Sequence, residues 1–129
     1  MANIEQVREF FSKDRFATEN GAVIDEVRED YARVSLTIDE RHKNAVGGVM
    51  GGVYFMLADF AFAVATNWQK PGTVSLSSDI SFLSTPKGKR LIAETELIRK
   101  GRTTCCYNVM VRDDLGKPIA AVKIVGYIG

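Results

Sequence analysis

One carboxylate, Asp59, stands in the middle of an otherwise apolar run, 53–65, and a glycine pair, Gly51 and Gly52, opens that run. If the run is a helix, the residues sharing a face with Asp59 are three and four positions away. These are Phe55, Met56, Phe62 and Ala63, and none can pair with a carboxylate. A solvent-facing Asp would instead have Lys, Glu or Gln among those neighbours. A carboxylate in an apolar cleft has a perturbed pKa and suits the work of a general base or a nucleophile.

Gly51 and Gly52 supply a complementary element. The first N–H groups of a helix have no partner inside it, and together with the positive end of the helix dipole they suit a developing oxyanion. Glycine lets a ligand approach those donors closely. The alternative for a glycine pair is a tight turn that needs positive φ. Gly51 and Asp59 are eight residues apart, about 12 Å along a helix axis, so one reacting carbonyl cannot touch both within a single chain. If they serve one site, Asp59 must face the Gly51 end of a second, antiparallel copy of the helix, as in a two-fold dimer with two equivalent sites.

The elements needed to position these groups follow from periodicity. Residues 3–13 carry Ile4, Val7, Phe10 and Phe11 at amphipathic-helix spacing, with Asn3 as N-cap. After the turn at Asn20 and Gly21, strands are expected over 22–27 and 31–38. The second alternates Ala32, Val34, Leu36 and Ile38 with Tyr31, Arg33, Ser35 and Thr37. The apolar run is hydrophobic all round, which marks a buried helix. Beyond the break at Pro71 and Gly72, four more strands are expected, over 73–83, 89–100, 103–112 and 119–128. In the first of these Val74, Leu76, Ile80 and Phe82 alternate with Ser75, Ser77, Asp79 and Ser81, as in a strand buried on one face. The predicted fold class is α+β, one domain over 1–129, an antiparallel sheet wrapped around one long buried helix.

Composition narrows the function classes. The chain is 46% hydrophobic and 26% charged with a formal net charge of +1, which offers no field for nucleic acid or an anionic membrane surface. The start, Met-Ala-Asn-Ile-Glu-Gln-Val-Arg, lacks the basic lead and apolar core of a signal peptide. The central apolar run is too short to span a bilayer, so a cytoplasmic location is expected. The sequence has a single histidine, His42, and two cysteines, Cys105 and Cys106, adjacent in sequence. Neighbours in a strand point to opposite faces, which argues against a mutual disulfide, and no metal-ligand spacing is present. Neither a metal nor another cofactor is expected.

The order His42-Lys43-Asn44, then Gly51-Gly52, then Leu57-Ala58-Asp59-Phe60-Ala61-Phe62-Ala63 resembles the hotdog-fold thioesterases, and within them the PaaI-like acyl-CoA thioesterase group. Asp79-Ile80-Ser81-Phe82-Leu83 and Lys100-Gly101-Arg102-Thr103-Thr104 are similar to later parts of the pattern. The likeness covers about residue 20 to the end and is most specific over 42–63.

The resemblance implies hydrolysis of an acyl-CoA thioester in a homodimer or homotetramer. It implies Asp59 as catalytic carboxylate, the Gly51 amide from the other subunit as oxyanion donor, Asn44 positioning the carbonyl or the water, and Ser75 as a hydroxyl near the site. Met50 and Gly52 would line the substrate, and Lys100, Arg102 and Thr103 would hold the CoA moiety, aided by Lys87, Lys89 and Arg90.

One departure stands out: Met50 occupies the place of the family histidine in His-Gly-Gly, and methionine neither titrates nor donates a hydrogen bond. That change raises a second reading, an acyl-CoA-binding protein of the same fold with weak or no turnover. A hydratase of the same fold would pair a histidine with an acid, which here would require His42 to reach the carboxylate across the dimer.

Overall fold

A computed structural model describes residues 3–129. The expectation drawn from the first residues includes Met1 and Ala2, which lie outside them. Helix α1 (Ile4–Phe11) begins where Asn3 accepts hydrogen bonds from the N–H groups of Glu5 and Gln6, and it buries Val7 and Phe11. The Arg8 guanidinium ties α1 to strand β1 (Val23–Arg28) through the Ile24 carbonyl, at 3.0 and 2.8 Å. Between them lies a short helix, α2 (Arg15–Glu19), in a stretch where the sequence suggested no element. Five residues are too few to display an amphipathic period.

β1 pairs antiparallel with β2 (Tyr31–Thr37), and a single 3-10 turn at Glu40–His42 follows. The loop then leads into α3 (Gly51–Asn67), after which come β3 (Val74–Phe82), β4 (Arg90–Lys100), β5 (Thr104–Asp113) and β6 (Pro118–Tyr127). The six strands form one sheet in the order β1-β2-β4-β5-β6-β3, every neighbouring pair antiparallel. This is the predicted sheet wrapped around one helix, with strand ends within a residue or so of those expected.

The core lies between α3 and the inner face of the sheet. Leu57, Ala58, Ala61 and Val64 of α3 are fully buried with Val34, Leu36, Leu91, Ala93, Val109, Val111 and Ile124 of the strands. Packing is tight near the end of β6, where a Cβ on Gly126 would stand 2.7 Å from the Phe62 ring and 2.9 Å from Cys105 Sγ. Cys105 is buried, Cys106 lies on the opposite face of β5, and both are free.

Two expectations need correction. β3 is not buried on one face: Val74, Leu76 and Phe82 are 55%, 60% and 60% exposed, and only Ile80 is half-covered. The alternation is real, but β3 is the outer strand of the sheet and its apolar side chains find little cover within the chain. A register shift between Ser75 and Ser77 leaves Leu76 as the extra residue of a bulge. Nor is α3 hidden all round. Phe55, Met56, Asp59 and Ala63 form a half-buried stripe on the side away from the sheet. Among the described residues no helix is long and apolar enough to cross a membrane.

Candidate active site

The start of α3 is held by its preceding loop. The Met50 N–H donates to the His42 carbonyl at 2.9 Å, and the Asn44 N–H to the Gly48 carbonyl at 2.7 Å. Asn44 Oδ1 accepts from the N–H groups of Val46 and Gly48, at 3.0 and 3.1 Å, so its side-chain oxygen shapes the loop while the residue itself remains exposed. Met50 occupies the N-cap of α3 and makes no side-chain cap. The first capping bond is from the Val53 N–H to the Met50 carbonyl, and the N–H groups of Gly51 and Gly52 ahead of it find no backbone acceptor in the loop. Space there is restricted: a Cβ on Gly51 would lie 2.9 Å from the Phe82 ring. A side chain at position 51 would therefore have to displace the exposed Phe82 ring.

His42 has a structural task. It is buried, Nδ1 accepts from the Asp39 N–H at 2.9 Å, and Nε2 lies 2.6 Å from the Asn20 carbonyl, which fixes the proton on Nε2. Both ring nitrogens are occupied, which leaves none to pair with a catalytic acid.

Asp59 lies two turns further along α3, in the half-buried stripe. It lines a groove of about 270 Å³ between α2 and α3, together with Asp14, Arg15, Phe16, Met56 and Ala63. Burial, and next the nearby Asp14 carboxylate, push the Asp59 carboxyl above the usual range. Among the described residues no hydrogen bond to Asp59 offsets the loss of water.

Ser75, exposed on β3, pairs with Gly126, whose neighbour across the core is Phe62. It therefore lies level with the half of α3 that carries Asp59. Within one chain the predicted residues are dispersed: Asn44, Met50, Gly51 and Gly52 stand at the start of α3, Asp59 on its stripe away from the sheet, and Ser75 on β3. The turn after β4 forms a further group near the other end of α3, where Lys100 shares a cleft with Thr66 and Gln69. Arg102 and Thr103 are exposed there, but Lys100 is paired with Asp30 at 3.0 Å. Lys87, Lys89 and Arg90 belong to a different region, the loop before β4, where Arg90 donates to Ser35 Oγ at 2.9 Å.

Sequence reasoning did not find Asp14 and Phe16 as neighbours of Asp59. An Asp before a short helical run signals a cap and says nothing about a groove. A separate concavity of about 970 Å³ lies on the outer face of the sheet among Glu94, Glu96, Asn108 and Lys123, away from this chemistry.

A sheet of this order closed around one helix is the hotdog fold. The chain belongs to the Thioesterase superfamily, whose family model matches residues 46–120. It is 31% identical over 122 residues to a candidate esterase of Archaeoglobus fulgidus, covering 93% of this chain and 79% of that one. It is 29% identical to the acyl-coenzyme A thioesterase PaaI of Escherichia coli, over 88% of this chain and 81% of that protein. The solved structure of the E. coli PaaI protein from the phenylacetic acid degradation operon superposes with a TM-score of 0.86 at 23% identity, covering 99% of this chain and 96% of that one.

Proposed function

We propose that this protein is an acyl-CoA thioesterase whose active sites form between two antiparallel copies of α3. The observation that carries the reading is Asp59: a half-buried carboxylate in a groove with Phe16, Met56 and Ala63, with no hydrogen-bonding partner among the described residues. Such an arrangement costs stability and is explained by use. The acyl-CoA part of the reading is supported by the similarity to PaaI.

In the dimer, the Asp59 carboxylate of one chain faces the Gly51 N–H of the partner subunit. Asp59 removes a proton from water as water adds to the thioester carbonyl, or adds to that carbonyl itself. The oxygen that gains charge is met by the free N–H of Gly51, with Gly52 leaving room beside it. Collapse breaks the C–S bond, the CoA thiolate takes up a proton, and the free acid remains. Where Asp59 adds first, water then releases the acid from the mixed anhydride. Asn44 orients the loop that presents Gly51, and the Ser75 hydroxyl offers a hydrogen bond beside Asp59. Arg102 and Thr103 meet the CoA moiety, and Lys100 joins them only by giving up Asp30.

The test is thiol release from a panel of arylacyl- and alkanoyl-CoA substrates. Asp59→Asn keeps the shape and removes the base, and turnover falls by about 10²- to 10⁴-fold with the fold intact. Turnover equal to wild type in that variant would overturn the assignment.

Met50 favours a second reading. At the N-cap of α3, 57% exposed, it brings no proton and no hydrogen bond to the place where the family pattern has a histidine. If the protein binds acyl-CoA without turnover that depends on Asp59, it is a binding protein of this fold. A gain of turnover in Met50→His would instead identify Met50 as the cause of a reduced rate.

A further inference from the structure

We propose that Asp14 is a specificity-determining residue of the acyl groove, selecting uncharged acyl chains and rejecting those that end in a carboxylate. This inference rests on the thioesterase reading of Asp59. Its starting point is a helix cap that does not cap. Asp14 occupies the N-cap of α2, the position where an Asp side chain ordinarily accepts a backbone N–H, yet its side chain makes no such bond. The backbone carbonyl alone serves the helix, accepting from the Thr18 N–H at 3.0 Å and from the Thr18 hydroxyl at 3.1 Å. The carboxylate is left to line the groove that also contains Asp59.

The other walls are apolar. Phe16, 75% exposed, Met56 and Ala63 offer surface to an aliphatic or aromatic chain. The remaining charged residue of the lining, Arg15, is exposed and faces Glu19 at 2.5 Å, so its charge is partly answered within its own helix. Asp14 is exposed at the rim of the groove, and its partial burial there raises its carboxyl. An acyl chain whose carbonyl reaches Asp59 therefore runs along an apolar wall beside two carboxylates. A neutral chain gains from that wall, whereas a second carboxylate on the chain is repelled at short range in a medium less polar than water.

Hexanoyl-CoA and adipoyl-CoA test this, because they differ only in the terminal group. The readout is the ratio of kcat/KM for adipoyl-CoA to that for hexanoyl-CoA in wild type, Asp14→Asn and Asp14→Ser. The ratio is expected to be well below one in wild type and to rise by about tenfold in both variants, as loss of one close like charge implies. A role for Asp14 in folding alone would lower both rates together and leave the ratio where it was, which overturns the proposal. Where no Asp59-dependent turnover exists, the thioesterase reading has failed separately, and calorimetric titration with the same two acyl-CoAs reads the same ratio as relative affinity. An unchanged affinity ratio overturns the proposal there as well.

Discussion

At Asp59 the cost of a residue meets its proposed use. In the proposed mechanism the carboxylate must be ionised to take a proton, while burial and then Asp14 favour its protonated form. The acid limb of kcat/KM is therefore expected above the usual carboxylate range, with activity rising as pH increases through it. Asp14→Asn should move that limb to lower pH, since Arg15, the other charged residue lining the groove, already faces Glu19. A limb unmoved by that change would mean that burial alone sets it. The same shift has a stability sign. The native state keeps the Asp59 proton to higher pH than the unfolded chain, so it binds more protons between the two pKa values and its stability falls as pH rises across that window. Asp59→Asn should melt above wild type at neutral pH while losing turnover, a pairing that calorimetry and thiol release can check together.

Among the elements, the loop before β4 is tied to the β5–β6 hairpin by Asp114, which accepts from the N–H groups of Lys89 and Arg90, and most deeply by Asp113. Asp113 is 1% exposed, and its carboxylate accepts from the N–H groups of Lys87, Gly88, Leu115 and Lys117 at 2.9–3.0 Å. Burial alone would raise its carboxyl, but these backbone donors, Lys87 and Lys117 foremost, together outweigh burial and hold it at about 2. A depressed pKa contributes stability above the ordinary carboxylate value of 3.8, and this is lost as pH falls toward about 2. The difference in melting temperature between wild type and Asp113→Asn should thus be largest near neutrality and close between about pH 4 and pH 2. A difference that stays constant with pH would remove charge as the cause.

The same elements mark how far the sequence was legible. Strands β1, β2 and β4 to β6 were readable because one face of each meets the core, and α3 because its residues are apolar on nearly every side. Asn3 was readable as a cap because capping is local chemistry. α2 was not readable, since its five residues carry no period, and with it went the groove that Asp14 and Phe16 share with Asp59. β3 was misread for another reason: its apolar alternation implies cover, and the cover does not come from its own chain. His42 sat in the recognised pattern, but its buried task, between Asp39 and Asn20, depends on long-range folding that spacing cannot express.

On the scale of the whole molecule, two apolar surfaces stay uncovered. The stripe of Phe55, Met56, Asp59 and Ala63 on α3 and the exposed Val74, Leu76 and Phe82 of β3 are apolar surfaces that one chain leaves open. The 12 Å separation of Gly51 and Asp59 along α3 gives the proposed function a reason for a second copy to cover them. Leu76→Glu should therefore give a chain that sediments as a monomer. Its turnover should fall by about 10²-fold or more, since each Asp59 would lose its oxyanion donor. A monomer with full activity would show that a single chain completes the site.

The bare edge of β3 has a further consequence, for solubility. Val74–Phe82 is nine residues long and carries one charge, Asp79. A long outer strand with so little charge is a template for edge-to-edge association. If β3 is also the surface that a second copy covers in the proposed dimer, the strand that assembles is the strand by which a lone chain would aggregate. Leu76→Glu would then act as a gatekeeper, giving up assembly while keeping the chain in solution.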